Sequence, residues 1–127
     1  MRIEIPRFGF VKREGTRIEY VSPVPCPFNY GCVPSMPAPD GDPLDVVVPG
    51  PRLDEGTTLD LQVHAVVRFV DDGKVDDKLV CGPMPTDEDL RRIGEFFRVY
   101  AVARRWMNRA RGRFGETRFS TVERVER

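Results

Sequence analysis

The sequence predicts an α+β fold in which short strands form a small barrel-like sheet and one long helix lies beside it. The first indication is the alternation of apolar and polar residues over positions 57–70, as in a long half-buried strand. The second is the segment 86–107, whose apolar residues recur at helical spacing: Leu90, Ile93, Phe97 and Tyr100. A length of 127 residues suits one core, so residues 1–127 are predicted to form a single domain.

Short strands are predicted before the long one. Residues 2–5 alternate polar and apolar side chains and precede a proline, as at the edge of a sheet. Residues 8–12 and 18–21 predict two further strands joined by a turn. Six prolines between positions 22 and 39 predict an irregular loop, because proline cannot donate to a sheet ladder.

The predicted helix has recognisable start signals. Thr86 or Asp87 is expected to cap its N-terminus, and acidic residues follow in the first turn. Beyond the helix, residues 113–127 are too polar to predict an element.

The composition excludes several classes of protein. Twenty acidic residues balance twenty basic ones, so net charge gives no argument for binding to nucleic acid or to a membrane surface. No apolar run matches a membrane helix or a signal peptide, and the three cysteines have no zinc-type spacing. These observations predict a cytoplasmic protein with no nucleic-acid or membrane partner. The single histidine, His64, is expected to be a surface residue on the polar face of the long strand.

The stretch Asp40-Gly41-Asp42-Pro43-Leu44-Asp45 places three carboxylates on a forced bend. Pro43 pushes Asp42 out of the helical region, and the kink allows the three carboxylates to converge. Such a sequence is also common in plain polar turns. The apolar residues 46–48 that follow favour a functional site, because they predict a buried strand that would hold the carboxylates in place.

A second acidic turn strengthens the prediction of a metal site. It spans residues 71–77, so the two turns together hold seven carboxylates and no histidine or cysteine. An all-oxygen site of this kind suits magnesium, manganese or calcium. An EF-hand is excluded because Leu44 occupies the fifth loop position. Lys12 and Lys78, beside the acids, indicate a phosphate ester or anhydride as substrate.

These residues resemble the signature of the soluble family I inorganic pyrophosphatases. Asp40 to Val46 is similar to the central motif of that family, and the resemblance extends over about residues 3–105. The other matching segments follow in the family's order: Ile3–Pro6, Lys12–Glu14, Pro27–Gly31, Asp71 with Asp76–Lys78, and Phe96–Tyr100. The resemblance implies a five-stranded OB-like β-barrel core with one long flanking helix.

The resemblance also implies a function and residue roles. It predicts magnesium-dependent hydrolysis of inorganic pyrophosphate to two phosphates, by in-line attack of a metal-bridging water or hydroxide, in a homo-oligomer. Several Mg²⁺ ions are implied, and Mn²⁺ is an alternative. Asp42 is the implied general base, and Glu4 and Glu14 assist the metals through water. The implied metal ligands are Asp40, Asp45, Asp71 and Asp76. The implied substrate-binding residues are Lys12, Tyr30, Lys78 and Tyr100.

Departures from the family pattern keep other functions open. The family's arginine after the early hairpin has no clear counterpart, and Ala101 stands where a lysine is expected. The alternatives are a catalytically impaired module that binds metal or phosphate, and a hydrolase of another phosphate anhydride. Arg17, Arg104 and Arg105 are the candidates to replace the missing cations.

Overall fold

The computed structural model describes residues 1–5, 11–14, 17–21, 28–37, 43–60 and 62–125. These residues form one long helix and a series of mostly short strands. The elements in chain order are β1 (Arg2–Ile5), β2 (Val11–Glu14), β3 (Arg17–Val21), β4 (Asn29–Pro37), β5 (Pro43–Val48), β6 (Val63–Asp71), β7 (Lys74–Val75), β8 (Lys78–Cys81), α1 (Asp87–Ala110) and β9 (Arg118–Arg124).

The main sheet has the strand order β1-β4-β5-β8-β6-β7, and β9 also pairs with β6. All of its pairings are antiparallel except that between β5 and β8, while β2 and β3 form a separate antiparallel pair. The predicted α+β class is therefore confirmed. The main sheet has seven strands in the described part of the chain. Five of them form the continuous series β1-β4-β5-β8-β6, and β7 and β9 both pair with β6.

The predicted long strand is present, but it begins later than expected. β6 starts at Val63, whereas the alternating pattern starts near Thr57. The earlier part bonds to the N-terminus instead: the amide of Ile3 donates to the carbonyl of Thr57 at 2.9 Å. The alternating pattern therefore covers two segments, of which only the second is a strand, and the pattern alone did not reveal the boundary between them.

α1 confirms the predicted helix and covers the sheet. The Thr86 hydroxyl accepts from the amide of Asp89, and the Asp89 carboxylate accepts from the amide of Thr86, both at 3.0 Å. This capping box satisfies two backbone donors at the start of the helix. On the inner face, Ile93, Phe97 and Ala101 join the core that strands β5, β6 and β8 form with Phe28. The described residues contain no helix with the length and apolar character of a membrane span.

His64 corrects the expectation of a surface histidine. It is only 4% exposed, and its Nε2 lies 2.7 Å from the carbonyl oxygen of Gly82. The strand β9, which the sequence did not predict, runs beside β6, and the amide of Val125 donates to the carbonyl of His64. A polar position on β6 is thus buried with its imidazole against the carbonyl of Gly82.

Candidate active site

Lys78 is the centre of a buried charge cluster. Its side chain is 3% exposed, and its Nζ lies 2.9 Å from Asp45 Oδ2 and 2.8 Å from Asp76 Oδ2. Burial acts to lower the pKa of Lys78, but the nearby charges of Asp45 and Asp76 outweigh it and raise the pKa above its ordinary value. Lys78 is therefore a charged ammonium group inside the protein.

The sheet register explains why these three side chains meet. β5 and β8 are parallel, with Val46 opposite Leu79 and Val47 opposite Val80. Extending that register by one residue places Asp45 opposite Lys78. Asp76 comes from the turn after β7, where its amide donates to the carbonyl of Phe69 at 2.9 Å. The apolar residues after Asp45 are fully buried and fix its backbone, as the sequence predicted.

Two tyrosines complete this part of the site. Tyr30 lies on β4, opposite Val47 of β5, and its hydroxyl is hydrogen-bonded to Asp45. Burial raises the pKa of Tyr30 well above its ordinary value, and the charge of Asp45 and the proximity of Tyr100 and Asp76 raise it further. Tyr30 is thus a protonated donor. Tyr100 extends from α1, with its ring stacked on Phe96 at a centroid distance of 5.8 Å.

Asp71, at the end of β6, is held by a second group of side chains. Its Oδ2 accepts from Arg104 Nε at 3.3 Å, while its Oδ1 accepts from Asn108 Nδ2 at 2.8 Å and from the Thr117 hydroxyl at 3.4 Å. Asn108 and Thr117 are 2% and 1% exposed. We name these three partners of Asp71, namely Arg104, Asn108 and Thr117, the Asp71 clamp.

Sequence reasoning missed Asn108 and Thr117. A signal for Asn108 was present, because Tyr100, Arg104 and Asn108 are spaced four residues apart and lie on one helix face. An amide on the face that carries a site tyrosine points to a buried polar contact. Thr117 had no such signal, since it stands in the polar stretch that the sequence left unassigned.

The structure brings together five of the predicted site residues: Tyr30, Asp45, Asp76, Lys78 and Tyr100. Asp71 is held by its own clamp. Asp40 and Asp42 lie outside the described residues. Glu4 lies in β1, and Lys12 and Glu14 lie in β2, but their side chains are also outside the description. The roles of all the predicted site residues stay predictions.

The donor set fits a hard divalent cation in its chemistry. Asp45, Asp71 and Asp76 supply only carboxylate oxygens, which Mg²⁺ prefers. Among the described residues, however, no three acidic, histidine or cysteine side chains converge as a metal-binding group. Asp45 and Asp76 converge on Lys78, and Asp71 pairs with Arg104. A complete ligand set would need the acidic bend before β5.

Comparison with known proteins gives consistent similarities. A model of the inorganic pyrophosphatase family matches residues 1–121. The inorganic pyrophosphatase of Neisseria meningitidis serogroup A is 50% identical over 76 residues, covering 59% of this chain and 41% of that protein. A soluble inorganic pyrophosphatase of Oryza sativa subsp. japonica is 34% identical over 105 residues, covering 73% and 49%. The chain thus spans less than half the length of these two relatives.

Solved structures extend the similarity over nearly the whole chain. The crystal structure of an inorganic pyrophosphatase from Neisseria gonorrhoeae superposes with a TM-score of 0.74 at 27% identity, covering 97% of this chain and 80% of that chain. The inorganic pyrophosphatase of Thermus thermophilus has a TM-score of 0.75 at 23% identity, covering 98% and 80%, and shows the fold alone.

Proposed function

This chain belongs to the inorganic pyrophosphatase family, and we propose that it hydrolyses inorganic pyrophosphate to two phosphates in the presence of Mg²⁺. The observation that carries the proposal is the buried, charged Lys78 held by Asp45 and Asp76 beside Tyr30. A fixed cation and phenolic donors can bind the oxygens of a phosphate anhydride, and the carboxylates can hold a metal ion that accompanies it.

Lys78 and the tyrosines have complementary roles in this proposal. The ammonium group of Lys78 donates charge-assisted hydrogen bonds to a phosphate oxygen, and it stays charged because two carboxylates surround it. When substrate binds, the single hydroxyl proton of Tyr30 exchanges its bond to Asp45 for a neutral hydrogen bond to another phosphate oxygen, and Tyr100 donates a second one. Because Asp45 and Asp76 fix the position of Lys78 before substrate arrives, little reorganisation is needed on binding.

The charge balance supports a requirement for metal. Lys78 offsets only one of the charges of Asp45 and Asp76, so this cluster keeps one net negative charge. An anionic substrate would be repelled there unless a cation accompanied it. We propose that Asp45, Asp71 and Asp76, together with Asp40, hold Mg²⁺, with Glu4 and Glu14 assisting through water. The bound ion would neutralise phosphate charge and activate water.

The proton of the attacking water requires an acceptor. We assign this general base to Asp42, on the basis of its place in the family motif. In-line attack on one phosphorus then expels the other phosphate, whose developing charge the cations and phenols of the site stabilise.

Phosphate release from pyrophosphate at varied Mg²⁺ tests the proposal. We expect wild-type turnover that depends on Mg²⁺ and that is abolished by Asp42→Asn. Asp60→Asn is a matched control, because Asp60 is exposed and lies outside both acidic turns, and it should retain turnover. A wild-type protein that releases no phosphate with Mg²⁺ would contradict the proposed activity.

One observation favours a second candidate, a module that binds metal or phosphate without turnover. Ala101 is 4% exposed and belongs to the core, so the position after Tyr100 brings no cation into the site. Binding of pyrophosphate without its hydrolysis, in the same assay series, would favour this candidate. Turnover of nucleotides in place of pyrophosphate would favour a hydrolase of another phosphate anhydride.

We further propose a cytoplasmic homo-oligomer. The buried Cys81 is a free thiol, which suits a reducing compartment. On the outer side of α1, Val99, Val102 and Trp106 are exposed large apolar residues at helical spacing. Such a stripe is typical of an interface between copies. Light scattering after gel filtration measures the molar mass, and a monomer at micromolar concentration would contradict this proposal.

A further inference from the structure

α1 carries two adjacent arginines one turn beyond Tyr100, and the structure separates their roles. Arg105 donates from Nη2 to the backbone carbonyl of Thr117 at 2.9 Å. Arg104 instead forms an ion pair with Asp71, with Nε 3.3 Å from Oδ2. Since Arg104 follows Tyr100 by four residues, both side chains extend from the same face of the helix. Arg104 is therefore the arginine that lies beside the candidate site.

The position that would otherwise supply a cation is closed. Ala101 packs among the aromatic residues of the core and has no charged group. In the described part of the chain, Lys78 and Arg104 are the cations that the structure pairs with predicted metal ligands. Lys78 is near Asp45 and Asp76, whereas Arg104 is near Asp71, so the two cations belong to different carboxylates of the site.

We infer that Arg104 is a substrate-binding residue whose guanidinium bridges Asp71 and a phosphate oxygen of the substrate. This inference rests on the proposed function for its ligand, inorganic pyrophosphate. A guanidinium presents its five N–H donors in a planar fork, and Arg104 directs Nε of that fork to Asp71. The same group can therefore hold a carboxylate and a phosphate oxygen together.

The other two members of the Asp71 clamp make Arg104 a preorganised donor. Asn108 and Thr117 hold the other oxygen of Asp71 from within the protein interior, which fixes the carboxylate that in turn orients the guanidinium. The Arg104 side chain is 14% exposed, so a charged hydrogen bond there is weakened less by solvent than at an open surface. These two conditions favour binding of an anion over a flexible surface contact.

The inference makes opposite predictions for anions and for metal. Loss of the guanidinium removes a positive charge from beside Asp71, so it should weaken binding of a phosphate anhydride. The same loss should leave the affinity of the site for a divalent cation unchanged or increase it, because the competing charge at Asp71 is gone. A purely structural role of Arg104 would weaken both.

The experiment measures both affinities by calorimetry. Imidodiphosphate, a pyrophosphate analogue with a P–N–P bridge, is titrated into protein saturated with Mg²⁺, and Mn²⁺ is titrated into metal-free protein in a separate series. Arg104→Gln should raise the dissociation constant of imidodiphosphate about tenfold or more. Its Mn²⁺ affinity should equal or exceed that of the wild type. Arg98→Gln is the matched control, because Arg98 is an exposed arginine of the same helix that lies over the Phe119 ring.

The outcomes separate this inference from the proposed activity. Three results would overturn the role of Arg104. They are equal affinity of wild type and Arg104→Gln for imidodiphosphate, a parallel loss of Mn²⁺ affinity in Arg104→Gln, and no binding of imidodiphosphate to the wild type. If Arg104→Gln is not folded by circular dichroism, Arg104→Met, which retains an unbranched stem, takes its place with the same expected result. A wild type that binds the analogue but releases no phosphate from pyrophosphate contradicts the activity alone, and the affinity ratio then still decides the role of Arg104.

Discussion

Asp45 and Lys78 face each other across the parallel pair of strands β5 and β8, with Lys78 Nζ 2.9 Å from Asp45 Oδ2. The contact joins residues 33 positions apart in the sequence. Asp45 adjoins the fully buried Val46, and Lys78 precedes the fully buried Val80 by two residues, so the charges are held at the rim of the hydrophobic core. The ion pair therefore lies at the edge of the core, which is also where the candidate phosphate site lies.

Removal of the Lys78 charge should destabilise the protein. Lys78→Met leaves Asp45 and Asp76 close together without their shared cation, and we expect the free energy of unfolding to fall by about 2–4 kcal/mol. Urea denaturation measures this change. Lys74→Met is the control, since Lys74 is exposed in β7, and it should change stability by less than about 0.5 kcal/mol. Unaltered stability of Lys78→Met would contradict the buried ion-pair geometry.

Tyr30→Phe removes one hydrogen-bond donor and keeps the ring. The variant loses the hydroxyl that bonds to Asp45, so unfolding should become easier by about 1 kcal/mol. Phosphate release should fall by about tenfold, because one neutral donor to the phosphates is lost. Steady-state assays and urea denaturation measure the two effects. Wild-type turnover in this variant would contradict a role of Tyr30 in binding the substrate.

The Asp71 clamp predicts a coupling between distant residues. Asn108→Ala removes the donor at 2.8 Å from Asp71 Oδ1, and we expect a loss of about 1–3 kcal/mol in unfolding free energy. In a double-mutant cycle with Asp71→Asn, the two losses should not add, because the residues share one network. Arg109→Ala, at an exposed position next to Asn108, is the control. Additive losses would show that the contact contributes nothing.

Cys81 predicts a pH dependence of stability. Burial raises the pKa of the Cys81 thiol from 9.0 to about 11. The folded protein therefore keeps the proton when the unfolded chain has released it, and unfolding free energy should fall as pH rises from 9.0 toward about 11. Below that window Cys81 has no effect on the pH slope. Urea denaturation of wild type and Cys81→Ala across this range measures the difference, and identical slopes would refute the assignment.

The sequence predicted the strands and the helix where residue patterns are local and strong. The alternation in β6, the capping box at Thr86 and the apolar residues after Asp45 are all local signals, and each corresponds to an element of the structure. The pairing of Asp45 with Lys78 is different, because it depends on two parallel strands that no local pattern aligns. Family resemblance supplied these residues as a set, and the sheet register explains their contact.

Sequence reasoning was wrong about β4 (Asn29–Pro37), which lies within the proline-rich stretch predicted to be an irregular loop. It also missed polar groups that tertiary structure buries. β9 is mostly exposed, with Phe119 and Val122 as its partly buried contacts to the core, so its composition resembles a loop. His64 and Asn108 are buried because a carbonyl or a carboxylate satisfies them. Such partners lie 18 and 37 residues away in sequence, beyond the reach of periodicity.

The parallel pairing of β5 and β8 also has a kinetic consequence. β6 and β8 are separated by a shorter connection than β5 and β8, since residues 49–77 connect β5 to β8 and contain β6. Closing so long a connection costs chain entropy, so contacts across β5 and β8 are expected to form after the β6–β8 pair. Substitution of Lys78 should then accelerate unfolding more than it slows refolding. In stopped-flow measurements the assembly of the site would accordingly be among the last steps of folding.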